Sequence, residues 1–191
     1  DGAGIGGGDD GDGGTITING GTITSYKVNQ GQGARIGGGC DAAPGTITIN
    51  GGTITTEGGS GAGIGGGKGN PANGTVTING GVISASGSYG IGAGEDGADV
   101  AITLSWTSAT DQIYASSFGG TVTIADGKSF YNGSEVLSSG IVDAGDYETK
   151  LNGKTLVIDT KKLDLVEIVK IVELFTDLEL VNVVTETKLE A

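Results

Sequence analysis

Histidine and methionine are both missing from these 191 residues, and there is one cysteine, Cys40, and one tryptophan, Trp106. Each scarcity excludes something. Without an imidazole, no serine or cysteine can be activated by the commonest general base, which removes Ser–His and Cys–His nucleophiles. One cysteine forbids an intramolecular disulfide, although that does not settle the compartment. Cys40 reads as a small residue tucked beside a loop, with a free reactive thiol as the alternative. Bases are few as well: 10 Lys and Arg against 23 Asp and Glu leave a net charge of −13. An acidic surface repels phosphate backbones, so nucleic acid is not an expected partner. No membrane insertion is expected, because no run reaches the roughly 18 uncharged apolar residues of a span. The most apolar stretch, 163–175, is interrupted by Asp164, Glu167, Lys170 and Glu173. The missing initiator Met suggests a processed chain or a fragment, and no secretory signal is visible.

Glycine is what the chain has in abundance. Of 41 glycines, 34 lie in residues 1–100 and only 7 in 101–191. That fall marks a boundary near residue 100. Random glycine-rich sequence reads as disorder, but here the glycines stand at fixed places between β-branched pairs. Gly14-Thr15-Ile16-Thr17-Ile18-Asn19-Gly20-Gly21-Thr22-Ile23-Thr24 returns from Gly45 to Thr55, and again from Gly74 to Ser84 with Val76 and Val82 substituted. A second motif alternates with it. Gly2-Ala3-Gly4-Ile5-Gly6-Gly7-Gly8 recurs as Gly33-Ala34-Arg35-Ile36-Gly37-Gly38-Gly39, then from Gly61 to Gly67, then in decayed form from Tyr89 to Gly94. The repeat length runs from 27 to 31 residues. Such a period indicates a repeat architecture.

Each repeat reads as one coil of a solenoid. Thr-Ile-Thr-Ile alternates with period 2, which turns Ile16 and Ile18 inward and Thr15 and Thr17 outward. Asn-Gly-Gly supplies a sharp corner, and Ile23 returns to the same core. Because Asn-Gly is also the strongest hairpin signal, antiparallel pairing of the two strands is the competing reading. Stacking predicts inner columns of Ile16, Ile47 and Val76; Ile18, Ile49 and Ile78; Ile23, Ile54 and Ile83; and Ile5, Ile36, Ile64 and Ile91. The expected fold is therefore all-β, a right-handed parallel β-helix over 1–100 with about 27–31 residues per coil. A C-terminal β cap follows over 101–158. It holds alternating segments at 100–106 and 120–124, further strands near 135–137, 140–142 and 154–158, and most of the aromatics. The extended tail, 159–191, divides between helix and strand signals over 161–175 and is expected to pair with a neighbouring subunit. With nothing amphipathic ahead of the first coil, head-to-tail self-association is expected.

The two glycine-rich motifs, over residues 2–94, resemble repeats in large surface proteins of anaerobic and gut bacteria. More loosely, they are similar to β-helical carbohydrate-binding proteins of cellulolytic clostridia. The segment 102–158 looks like the usual ending of such arrays, whereas the tail does not. The resemblance implies an extracellular location and adhesion or glycan contact, without a transferable set of binding residues.

Candidate chemistry is sparse. A glycosidase needs two carboxylates held about 5–10 Å apart. Asp9, Asp10, Asp12, Asp41, Glu95, Asp96 and Asp99 fall on loops but do not recur coil by coil, so no enzyme is expected. Asp9, Asp10 and Asp12 sit among flexible glycines and are the candidate metal ligands, Ca²⁺ being the cation that oxygen donors suit; a solvated acidic loop is the plainer alternative. No other cofactor is expected. The glycine motif lacks the Lys-Ser/Thr of a phosphate loop. Tyr26, Tyr89 and Trp106 are the candidate ligand surface, since aromatic faces stack on sugars; for Trp106 a place in the cap's own core competes. Thr15, Thr46 and Thr75 form one outward file and Thr17, Thr48 and Thr77 another. The array resembles those of ice-binding solenoids, although threonine also simply suits an exposed strand. The function expected is a noncatalytic extracellular structural or adhesive protein, a surface stalk or filament subunit. The alternative is a carbohydrate-binding module contacting a surface glycan.

Overall fold

The computed structural model describes residues 1–26, 31–106, 108, 110–132, 135–141 and 155–157. Among them there is no helix, and the strands stack in parallel as a β-solenoid of about four turns. The tail 159–191 and the helix-or-strand question at 161–175 lie outside the described residues.

Each coil contributes three short strands, and equivalent strands from successive coils form three ladders. The first ladder holds β1 (Ile5–Gly6), β4 (Ile36–Gly37), β7 (Ile64–Gly65) and β10 (Ile91–Gly92), and ends on the first residues of β13 (Phe118–Asn132). The second stacks β2 (Thr15–Ile18), β5 (Thr46–Ile49), β8 (Thr75–Ile78) and β11 (Val100–Leu104) onto residues 120–124 of β13. The third contains β3 (Thr22–Ser25), β6 (Thr53–Glu57), β9 (Val82–Ser86) and β12 (Gln112–Ala115). Ile16 lies over Ile47 and Ile47 over Val76 in parallel register, which disposes of the hairpin reading.

The glycine-rich motif forms the narrowest side. A Cβ on Gly6, Gly37, Gly65 or Gly92 would overlap the carbonyl oxygen of the glycine in the next coil. Only a residue without a side chain lets the backbones come this close.

The parallel stack does not stop where glycine thins out near residue 100. It continues through Ile124, with Phe118 standing on Ile91 and Ile102 lying between Val76 and Val122. The last coil is shortened at one corner. Gly119 leads straight into Gly120, so only 20 residues separate Ala101 from its partner Thr121, against 29 between Thr46 and Thr75. After that the pairing changes sense. β14 (Glu135–Ile141) folds back antiparallel on β13, and β15 (Thr155–Val157) pairs antiparallel with β12. Parallel growth ends at these antiparallel strands, which occupy edges that would otherwise stay open.

The core is the predicted set of columns, extended by one rung in the first ladder and by two in the second. Ile36, Ile47, Ile49, Ile54, Ile64, Val76, Ile78 and Ile91 are fully buried, and Ile102, Leu104, Phe118, Val122 and Ile124 continue the columns. Each such side chain contributes about 1.5–3 kcal/mol of transfer free energy before entropy is counted. The first coil differs. Ile5, expected in the inner column, is 38% exposed, and Ile16 and Ile23 are half-buried, because they have a neighbouring coil on one side only.

Candidate functional site

The corner between the first and second ladders gathers most of the solenoid's carboxylates. Asp10, Asp41 and Asp96 occupy the same position in three coils with φ of 56°, 53° and 58°, and Gly69 holds that position in the remaining coil. Aspartate tolerates the left-handed region better than most side chains, because its short polar group can bond locally. These residues therefore make the turn. Their neighbours are spread out rather than gathered. Asp9 makes an exposed ion pair with the terminal amine at 3.2 Å, an arrangement worth little. Asp12 accepts a hydrogen bond at 2.9 Å from Ala43 N and so ties one corner to the next. Asp9, Asp10 and Asp12, the residues expected to hold Ca²⁺, lie along this corner with these separate roles. Among the described residues, no three acidic or cysteine side chains converge on a metal position.

Cys40 stands in the same corner, 8% exposed. Its Sγ donates to Gln32 Oε1 at 3.0 Å and lies 3.5 Å from Asp41 Oδ2. Burial pushes the thiol pKa up, and the bond to Asp41 and the nearby carboxylates push it further. A thiolate is thus disfavoured, which makes a reactive thiol the weaker of the two readings. Across the next pair of coils, Lys68 meets Glu95 at 3.5 Å. Glu95 is held below the usual carboxylate range by a hydrogen bond from Ser60 and then by Lys68.

The three aromatic candidates fare differently. Tyr26, just after β3, is 57% exposed. Tyr89 is half-buried against the core, and its ring covers Gly119 of the next coil. Trp106 is 2% exposed and belongs to the core; Lys128 Nζ lies 5.7 Å from its ring centre and donates to its carbonyl oxygen at 2.7 Å. An indole enclosed in this way offers no face to a ligand, so Trp106 leaves the expected surface.

Three polar features escaped the sequence reading. Asn50 Nδ2 donates to Asn19 Oδ1, and Asn79 Nδ2 donates to Asn50 Oδ1, each at 2.8 Å, forming a ladder on the outside of the corner. The signal was present as asparagine at one position of three repeats. Asp111 does the corner's work where the fourth coil has no Asn-Gly-Gly: 7% exposed, it accepts from Gly81 N and Ser108 N, both at 2.9 Å. Arg35, buried where other coils have glycine, donates to Gly33 O at 2.9 Å and Tyr26 O at 3.5 Å. Burial lowers its pKa, and its two bonds tie Gly33 to the residue that follows β3. Nothing in the repeat pattern foretells that role.

Outside the second ladder, the files of Thr15, Thr46 and Thr75 and of Thr17, Thr48 and Thr77 stand in register. Thr103 and Thr123 prolong one file; in the other, Ala101 interrupts before Thr121. Side chains there repeat at about 4.8 Å along the stack and about 6.7 Å along each strand. The lattice is uncharged, and each of its threonines carries a hydroxyl and a methyl group. Such a face can adsorb and hydrogen-bond, and it holds no proton-transfer group. Compared with known proteins, the chain matches no family model, no curated protein and no solved structure.

Proposed function

We propose that this chain is a noncatalytic structural protein, a stiff solenoid segment used outside the cell as a stalk, adhesive element or filament subunit. The observation that carries the reading is the in-register stacking of all three ladders around a continuous aliphatic interior. Every coil is hydrogen-bonded to its neighbours along the whole stack, which resists bending and extension while leaving uniform outer faces. Such construction suits holding and spacing rather than turnover. The partners that fit are further copies, associating through the ends of the solenoid, or a surface glycan. The resemblance of its repeats to those of bacterial surface proteins supports a cell-surface location.

Electron microscopy of the purified protein tests it. Rods or regular fibres are the expected result, and flexible or globular particles would overturn it. A carbohydrate-binding module remains the second reading because Tyr26 presents an exposed ring. Binding on a glycan array that disappears in Tyr26→Ala would favour that module over the structural role.

A further inference from the structure

The asparagine ladder has a chemical side that its structural one conceals. Asn19, Asn50 and Asn79 each sit in the same tetrapeptide, Ile-Asn-Gly-Gly. A glycine after asparagine leaves the backbone nitrogen unhindered, so that nitrogen can attack the side-chain amide. We infer that these three positions form a graded set of spontaneous deamidation sites, with rates set by the ladder. In the reaction, the nitrogen of the following glycine loses its proton to solvent base and bonds to asparagine Cγ. The Cγ–Nδ2 bond breaks and the side-chain nitrogen leaves as ammonia. The resulting succinimide takes up one water and opens to aspartate or isoaspartate. No oxidant or reductant is involved.

For attack to occur, the carboxamide must leave its ladder bonds. Asn50 uses both ends, donating to Asn19 and accepting from Asn79, whereas exposed Asn19 only accepts. Asn79 donates one bond, and its corner is also held by Asp111 through Gly81 N. Each bond slows escape by about fivefold, the equivalent of an ordinary net hydrogen bond. Asn19 therefore reacts ahead of Asn50.

The direction of the ladder also decides what the product does. Aspartate at 19 still accepts from Asn50, so the ladder stands. Aspartate at 50 can no longer donate, and a carboxylate oxygen then faces Asn19 Oδ1. Conversion to aspartate at the fastest site thus leaves the ladder standing, and conversion to aspartate at Asn50 is the one that loosens the corner. This inference is independent of the structural role proposed above.

Peptide mapping by mass spectrometry after incubation of the full chain at mildly alkaline pH provides the test. In the folded protein Asn19 should convert at least about fivefold faster than Asn50; in concentrated denaturant, where the tetrapeptides are equivalent, the two rates should coincide. Asn19→Ala should speed Asn50 about fivefold by removing its acceptor. Asn50→Asp should lower the melting temperature more than Asn19→Asp does. Equal folded rates, an Asn50 rate unchanged in Asn19→Ala, or equal melting shifts for the two aspartate variants would each overturn it.

Discussion

Alanine at Gly65 probes the narrow side of the solenoid directly. The new Cβ would overlap Gly92 O and sit 2.7 Å from Gly92 C, at a backbone φ of +143° that side chains rarely adopt. The backbone conformation alone costs about 1–3 kcal/mol. Relief of the overlap requires the two coils to part, which weakens the bonds from Ile64 N to Gly90 O at 2.9 Å and from Gly66 N to Gly92 O at 2.8 Å. At about 1 kcal/mol for each bond, the whole change comes to about 3–5 kcal/mol. A domain of this size has about 5–15 kcal/mol to lose. Gly21→Ala is the matched comparison. Its φ is +90° but nothing lies within 4 Å of the added carbon, so only a conformational cost of about 1–2 kcal/mol applies. Urea titration followed by circular dichroism reads both, provided the slope is unchanged. Equal losses at the two positions would refute the argument that close backbone approach, rather than backbone conformation, demands glycine at Gly65.

Three further outcomes are expected. Ile64→Ala, in the fully buried column, should cost about 2–5 kcal/mol in the same titration, whereas Ile5→Ala, at a position 38% exposed, should cost clearly less. Asp111→Ala should cost about 2–3 kcal/mol by leaving Gly81 N and Ser108 N without their acceptor; a loss near zero would remove its corner role. Cys40, with its pKa raised by burial and then by Asp41, should resist alkylation at neutral pH until the protein unfolds. The thiol is protonated more readily in the folded state. Its contribution to stability is therefore complete below the ordinary thiol pKa and is lost as pH rises through the folded value. Unfolding measured at several pH values, with Cys40→Ser as reference, should show that decline only in the parent protein.

Much of the fold could be read along the chain because it is written in local periods. Alternation at Thr15–Ile18 sends Ile16 and Ile18 one way, and the same alternation two repeats later places Val76 and Ile78 in the same columns. The candidate sites were far less legible. Trp106 is equally suited to a sugar face and to a core, and only its neighbours make it core. Asp9, Asp10 and Asp12 form a tight cluster in sequence, but Asp10 makes a left-handed turn and Asp12 accepts from Ala43 N, roles that the sequence does not show. The glycine count marked a boundary near residue 100, whereas strand pairing carries the parallel stack on to Ile124.

Sequence alone determined which residues face inward and that successive repeats are equivalent, since both follow from a strand's period of two and a recurring motif. Tertiary structure decided the partner of each strand. An Asn-Gly-Gly corner permits a hairpin or a coil equally well, and burying isoleucine against the next repeat selects the coil. It also decided where stacking ends. β14 and β15 meet their partners antiparallel, and such long-range pairing leaves no mark in the local pattern of either strand.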